Sequence, residues 1–359
     1  MSTPESREPR ILTFAAAINE ATHQAMAADP TVLCIGLGAT DPGGVFGTTK
    51  GLIDEFGPSR VFDGPTSENA MTGIAVGAAL AGLKPVMTHQ RLDFFLLAMD
   101  QLINSAAKWH YMFGGQFQVP LTIRLIIGRG WGQGPTHSQN LQAWFAHIPG
   151  LKVVVPSSPV DAKQLLLSSI HDPNPVLFLE HRWLHNIADD VPIEATPAPL
   201  GKARLARTGD DLTIVTSGYL TLEAIRAADY LKSRGISCDV LDLRTLHPLD
   251  WPAVHASVAK TGTLLVLDSG ALTGSISGEI VARVASHQFS QLKQAPRRLA
   301  QPDIPEPTSL GLIQGFHVRS TQIASEALDM LHLPLADVAE VLAAPEPADS
   351  PGDWFRGPF

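Results

Sequence analysis

Between about residue 11 and residue 185 the chain alternates short apolar runs with longer segments of helical periodicity, and no other feature narrows the fold as much. Residues 31–36, 84–88, 121–127, 151–155 and 175–179 read as strands. Residues 14–28, 68–82, 93–111 and 160–170 read as helices between them, with Asp29-Pro30 stopping the first. Strands and helices at this spacing predict a parallel sheet covered on both faces. A stretch rich in proline and acid begins at Asp189, and the pattern resumes near Gly209. There, residues 212–216, 237–243 and 264–267 read as strands, and 220–234 and 277–285 as helices. The reading is two α/β domains: residues 11–188 with a mostly parallel sheet, a linker over 189–206, a smaller domain over 207–333, and a tail over 334–359.

Composition narrows the function. A chain of 359 residues is long enough for two ordinary cores. Its 45% hydrophobic and 17% charged residues suit a globular protein and argue against disorder. A net charge of −9 offers nucleic acid or an anionic membrane no bulk attraction. Cys34 and Cys238 lie far apart, each in a strand-like run, so buried free thiols are expected rather than a disulfide. The first ten residues hold no apolar leader, and no apolar run is long enough to span a bilayer. A cytoplasmic protein is expected.

Thr66-Ser67-Glu68-Asn69-Ala70 opens a helix of small and apolar residues that carries Gly73, Gly77 and Gly82. Such a helix is expected to be buried on most sides. A carboxylate at its mouth then needs a partner or a purpose. Taken alone, the pair reads as capping: Ser67 at the N-cap and Glu68 in the favourable first turn.

Further runs give Glu68 a context. They are Asp93-Phe94 leading to Asp100-Gln101-Leu102-Ile103-Asn104-Ser105-Ala106-Ala107-Lys108, then His137-Ser138-Gln139, and Pro149-Gly150-Leu151-Lys152-Val153-Val154-Val155-Pro156. Asp161-Ala162-Lys163, Val240-Leu241-Asp242-Leu243-Arg244-Thr245-Leu246 with Pro248-Leu249-Asp250, and Asp303-Ile304-Pro305 complete the series. Each run is weak alone. In this order, over roughly residues 11–330, the set resembles the β subunits of the thiamine diphosphate-dependent 2-oxo acid dehydrogenases of the pyruvate, acetoin and branched-chain type.

The resemblance implies a pyrimidine-binding, transketolase-like first domain and a transketolase C-terminal-type second domain. It implies thiamine diphosphate shared with an α subunit, whose Gly-Asp-Gly motif would hold magnesium and the diphosphate. This sequence has no Gly-Asp-Gly; its nearest string, Gly209-Asp210-Asp211, reads as a turn. The implied assembly is a heterotetramer of two α and two β chains, with a lipoyl acyltransferase as a further partner. Glu68 matches the glutamate at the cofactor's pyrimidine ring. A carboxyl group there favours the imino tautomer of the exocyclic amine, the base that takes the thiazolium proton.

Phe94 matches the aromatic residue that stacks on the pyrimidine, although Phe94-Phe95-Leu96-Leu97 on its own reads as core. His137 matches a histidine facing the reacting carbons, suited to proton transfer or to holding a substrate carboxylate. By itself it reads as a loop histidine. His89, His110 and His147 are weaker candidates. Asp172 and Asn174, with the backbone of Leu121 and Ser169, match a monovalent-cation (potassium) site of oxygen ligands. Asp172-Pro173-Asn174-Pro175 is turn chemistry in its own right.

The chain also departs from the pattern. Leu37-Gly38 stands where an acidic pair is common, Leu97 where a glutamine is common, and Thr88-His89-Gln90-Arg91 replaces a segment commonly acidic and aromatic. Arg91, Trp131, His181 and Trp183 are candidates to reshape the pocket. Three functions follow from this reading. The first decarboxylates a 2-oxo acid and passes the acyl group to a lipoyl carrier. The second is a two-component carboligase with a carbonyl acceptor. The third is a catalytically silent interaction subunit.

Overall fold

The strands form where β-branched and other apolar side chains run without interruption. Val32–Gly36, Thr122–Ile127, Val176–His181 and Leu212–Thr216 are buried at every position, as befits strands covered on both faces. The computed structural model describes residues 9–130, 132–335, 337–343 and 348–355. In chain order the strands are β1 (Ile11–Thr13), β2 (Val32–Gly36), β3 (Val61–Asp63), β4 (Lys84–His89), β5 (Thr122–Ile127), β6 (Lys152–Val154) and β7 (Val176–His181). They continue with β8 (Ala188–Asp190), β9 (Arg204–Arg207), β10 (Leu212–Thr216), β11 (Cys238–Asp242), β12 (Thr245–His247), β13 (Leu264–Ala271) and β14 (Arg297–Gln301).

The first domain is built on a seven-stranded sheet in the order β12-β6-β7-β5-β4-β2-β3. All its pairings are parallel except that of β12 with β6. The second domain holds a five-stranded sheet in the order β14-β13-β10-β11-β9, with only β9 antiparallel. The expected two α/β domains are therefore present. Strand β12 comes from the second half of the chain yet completes the first sheet, so the domains share a seam. Charge crosses that seam as well: Asp161 accepts from Arg244 Nη1 at 3.0 Å and pairs with Arg204 Nε at 3.1 Å. The helix Pro159–His171 that carries Asp161 starts at Ser158, whose hydroxyl accepts from Asp161 N, with proline in its first turn.

Three helical expectations need correction. Helix Glu68–Leu80 buries one face only; Asn69, Ala70, Ile74 and Gly77 are exposed. Ser67 does not cap it, since its side chain makes no capping hydrogen bond. The long helix expected over 93–111 is broken into an α-turn (Leu92–Phe95), a 3₁₀ turn (Leu96–Ala98), a π-helix (Gln101–Ala106) and a last α-helix (Ala107–Met112). No glycine or proline signals those breaks, and π segments concentrate at functional sites. The segment expected as a linker supplies β8 and β9. In the segment expected as a tail, Asp349 and Pro351 are buried. Cys34 and Cys238 are buried free thiols, as expected. Among the described residues no helix is long and apolar enough to cross a membrane.

Candidate active site

The parallel strands of the first sheet end at one edge, where loops carry the residues of interest. Glu68 begins its helix there and is buried, 7% exposed. Its carboxylate has no hydrogen-bond or ion-pair partner among the described residues, and its oxygens keep access to solvent at the mouth of the helix. Helix Glu68–Leu80 packs on the segment Leu92–Phe95 and on the π-helix that follows. In that segment Phe94 is 40% exposed, large and apolar at the surface. The half-buried His137 ring meets the Phe94 ring edge-on, 5.3 Å between centroids at 85°. Thr136 Oγ1 donates to or accepts from His137 Nδ1 at 3.0 Å. Asp93 Oδ1 accepts from Gln139 Nε2 at 2.8 Å and tethers the Phe94 segment to the His137 loop. The structure thus brings Phe94 and His137 into contact and sets an unpartnered Glu68 at the start of the adjoining helix.

The His137 loop is anchored at both ends. It begins at Gly128, whose φ of +77° and the His181 ring behind it admit only glycine: a Cβ there would lie 2.4 Å from His181 Nε2. Arg91 Nη1 donates to Gly128 O at 3.0 Å, and Arg91 Nη2 donates to Gln133 Oε1. At the far end Gln142 Nε2 donates to the buried Asp268 Oδ1 at 2.7 Å. Burial lifts the Asp268 carboxyl above its ordinary value. A cleft of about 1070 Å³ is walled by Asn19, Lys50, Gln90, Arg182 and the loop through Phe46, and Glu68, Phe94 and His137 do not line it.

The Transketolase, pyrimidine binding domain family matches residues 11–186, and the Transketolase, C-terminal domain family matches residues 201–323. The β subunit of acetoin:2,6-dichlorophenolindophenol oxidoreductase from Cupriavidus necator is 41% identical over 328 residues, covering 89% of this chain and 97% of that one. The pyruvate dehydrogenase E1 component subunit β-1 of Arabidopsis thaliana is 41% identical over 305 residues, 84% of each chain. The 2-oxoisovalerate dehydrogenase subunit β of Bacillus subtilis is 40% identical over 296 residues, 82% of this chain and 90% of that one. This chain belongs to the β-subunit family of the thiamine diphosphate-dependent 2-oxo acid dehydrogenases. At the level of fold alone it is similar to a split-gene transketolase solved as an inactive β4 tetramer. The TM-score is 0.72 at 20% identity, covering 90% of this chain and 99% of that chain.

For a β subunit of this family, the residues present fit the pyrimidine half of the cofactor. An accessible carboxylate without a protein partner suits a ring nitrogen, and an exposed phenyl face suits stacking. The other candidates separate from that site. His89 is 2% exposed with both ring nitrogens unpartnered and its edge against Phe95; burial pushes its pKa down to about 4, so it is a neutral core residue. The half-buried His110 holds the Phe117 carbonyl, and the exposed His147 follows a short helix, Gln142–Ala146. His181 and Trp183 are buried against Tyr219 and act as packing. Trp131 lies outside the described residues.

At the expected cation corner, Asp172 Oδ1 accepts from Lys152 Nζ at 2.7 Å. The Leu121 carbonyl accepts from Val176 N and the Ser169 carbonyl from Asp172 N. Asn174 Oδ1 is buried and unpartnered. The local charge on Asp172 is therefore met by lysine. That leaves the second lone pairs of the two carbonyls and the Asn174 amide oxygen.

Sequence reasoning missed a buried ionic cluster behind the loop. Arg129 is 0% exposed. It donates to Gln133 O, to Pro307 O at 2.7 Å and to Thr308 O at 3.2 Å, and lies 3.5 Å from Glu306 and 3.3 Å from Asp349. Glu306 Oε1 also faces His317 Nε2 at 3.4 Å. Burial drives the Glu306 pKa up to about 8, against the pull of Arg129. Burial, with Arg319 and Arg129 nearby, pushes His317 down to about 3. A cation directly after a buried strand, as in Gly128-Arg129-Gly130, was the available signal.

Proposed function

We propose that this chain is the pyrimidine-binding half of a two-component, thiamine diphosphate-dependent enzyme that decarboxylates a 2-oxo acid. Bound thiamine diphosphate supplies the carbon nucleophile and the electron sink for loss of carbon dioxide. Glu68 holds a proton or hydrogen bond at the pyrimidine nitrogen. Phe94 offers its face to the ring and fixes its plane. His137, against Phe94, moves a proton at the reacting carbons or holds the substrate carboxylate. The observation that carries this reading is Glu68, a largely buried residue whose carboxylate has no partner among the described residues and stays open to a ligand, in a chain of this family. Magnesium and the diphosphate fall to an α partner with a Gly-Asp-Gly motif, because this sequence has none.

By the family relationship the assembly is a heterotetramer of two α and two β chains, and the acyl acceptor is a lipoyl group on an acyltransferase. A carboligase with a carbonyl acceptor is the second reading. It is favoured by Thr88-His89-Gln90-Arg91, which puts a buried guanidinium where the family commonly has acid and aromatic residues. The unpartnered Asn174 Oδ1 supports a potassium ion at the Leu121, Ser169 and Asp172 corner.

The test is Glu68→Gln in the reconstituted complex. Turnover should fall by a factor on the order of one hundred or more, with thermal stability almost unchanged. Normal turnover would remove Glu68 from the mechanism and with it this reading.

A further inference from the structure

The loop that carries His137 is hard to hold still. Residues 128–134 read Gly-Arg-Gly-Trp-Gly-Gln-Gly, a glycine at every second position. Gly128 and Gly132 adopt φ of +77° and +66°. Such a backbone has more freedom to lose on ordering than any other, so tethers from outside must fix it.

We propose that Asp349, in the C-terminal segment 348–355, is a positioning residue that fixes the first half of the His137 loop. The role rests on the reading of His137 as a functional group. Asp349 is 0% exposed. Its Oδ2 atom accepts from Arg129 Nε at 3.4 Å, from Arg129 Nη2 at 3.3 Å and from Gly132 N at 3.3 Å. One carboxylate oxygen therefore holds a side chain and a backbone amide of the loop together. Its Oδ1 atom has no partner, so the carboxylate is not shared with any other described segment.

The segment is fastened on both sides of Asp349. Arg319 Nη2 donates to Ala348 O and to Ser350 O, each at 3.0 Å. Trp354 Nε1 donates to Trp183 O at 3.0 Å, and Arg226 lies 4.8 Å over the Trp354 ring. Arg319 is held in turn by Tyr219, whose hydroxyl accepts from Arg319 Nη1 at 2.6 Å. Residues 348–355 are thus a strap anchored to the domain seam, and Asp349 is the point at which the strap grips the loop. A buried pair of this kind adds little net stability, but removing one partner strands the other. Without Asp349 the Arg129 guanidinium keeps its bonds to the carbonyls of Gln133, Pro307 and Thr308, so it loses its charged partner at the loop but stays hydrogen-bonded.

The test is hydrogen exchange of the full chain, wild type against Asp349→Ala and Asp349→Asn. Amides of residues 128–137 should exchange about tenfold or more faster in the alanine variant, while β13 is unchanged. The asparagine variant, which keeps an acceptor for Gly132 N, should show a smaller increase. Unchanged exchange in the loop, or an equal rise across both sheets, would overturn the proposal. In the reconstituted complex Asp349→Asn should lower kcat about tenfold without weakening cofactor binding, because Glu68 and Phe94 sit on other segments. Unchanged kcat would overturn the positioning role, provided Glu68→Gln measured in parallel has lost turnover. If Glu68→Gln retains turnover, the catalytic reading is what has failed, and exchange alone decides for or against Asp349.

Discussion

Replacing Glu306 by glutamine should make the protein more stable than wild type, and increasingly so as pH rises. Glu306 is 6% exposed, and its Oε1 atom sits between Arg129 at 3.5 Å and His317 at 3.4 Å. Arg91 and Asp93 are the other charges that bear on it. Its folded pKa is about 8 against an ordinary 4.5, driven up by burial. Its contribution to stability is therefore present in full below 4.5 and is lost as pH rises through about 8. At about 1.4 kcal/mol for each tenfold change in proton affinity, the ceiling of that loss is about 5 kcal/mol. Glutamine is neutral at every pH, like the protonated form, and with its amide oxygen at the Oε1 position it still accepts from Arg129. His317, held near 3, loses its own contribution as pH falls below its ordinary 6.5 and largely cancels in the comparison. Urea unfolding of both proteins from about pH 5 to about pH 8.5 should show near-equal stability at the acid end and a gain of about 2–4 kcal/mol for the variant at the alkaline end. A stability difference that stays constant across this range would refute the reasoning.

Two other substitutions test the supports of the site. Gly128→Ala places a methyl 2.4 Å from His181 Nε2 at a φ of +77°, so stability should fall by roughly 2–4 kcal/mol in urea unfolding and turnover should fall with it. Arg124 and Glu180 form a buried two-bond pair across β5 and β7, at 2.6 and 3.0 Å. Burial alone would raise the Glu180 carboxyl, but Arg124 and His185 hold it below its ordinary value. Arg124→Met should cost about 3–5 kcal/mol by leaving that charge stranded, and adding Glu180→Met should restore much of the loss; a double variant worse than the single would contradict this.

Much of the framework was legible because buried parallel strands leave uninterrupted apolar runs, as at Leu212–Thr216, and because Asp29-Pro30 and Ser158-Pro159 punctuate helices by known chemistry. Strand β12 was not legible. Three residues at a sheet edge carry no sign of which sheet they will join, and β12 crosses to the other domain. The break at Gln101–Ala106 was hidden for a different reason: its residues are ordinary helix formers, and the turn at Gly150 presses on the chain where the π-helix ends. A Cβ at Gly150 would lie 1.9 Å from the Ala107 carbonyl oxygen. Motif order singled out Glu68, Phe94 and His137 as candidates, and the structure brings the last two into contact. It could not single out the Arg129 cluster, since the partners Pro307 and Asp349 lie 178 and 220 residues away in sequence. Ser67 misled because a serine at a helix start usually caps, and here its side chain does not.

The central claim is that this chain supplies the pyrimidine half of a shared cofactor site and nothing that holds the diphosphate. The most direct measurement is calorimetric titration of thiamine diphosphate with magnesium into this chain alone and into its complex with an α partner carrying Gly-Asp-Gly. The account predicts weak or undetectable binding by the chain alone and tight, magnesium-dependent binding by the complex. Tight, magnesium-dependent binding by this chain alone would contradict it.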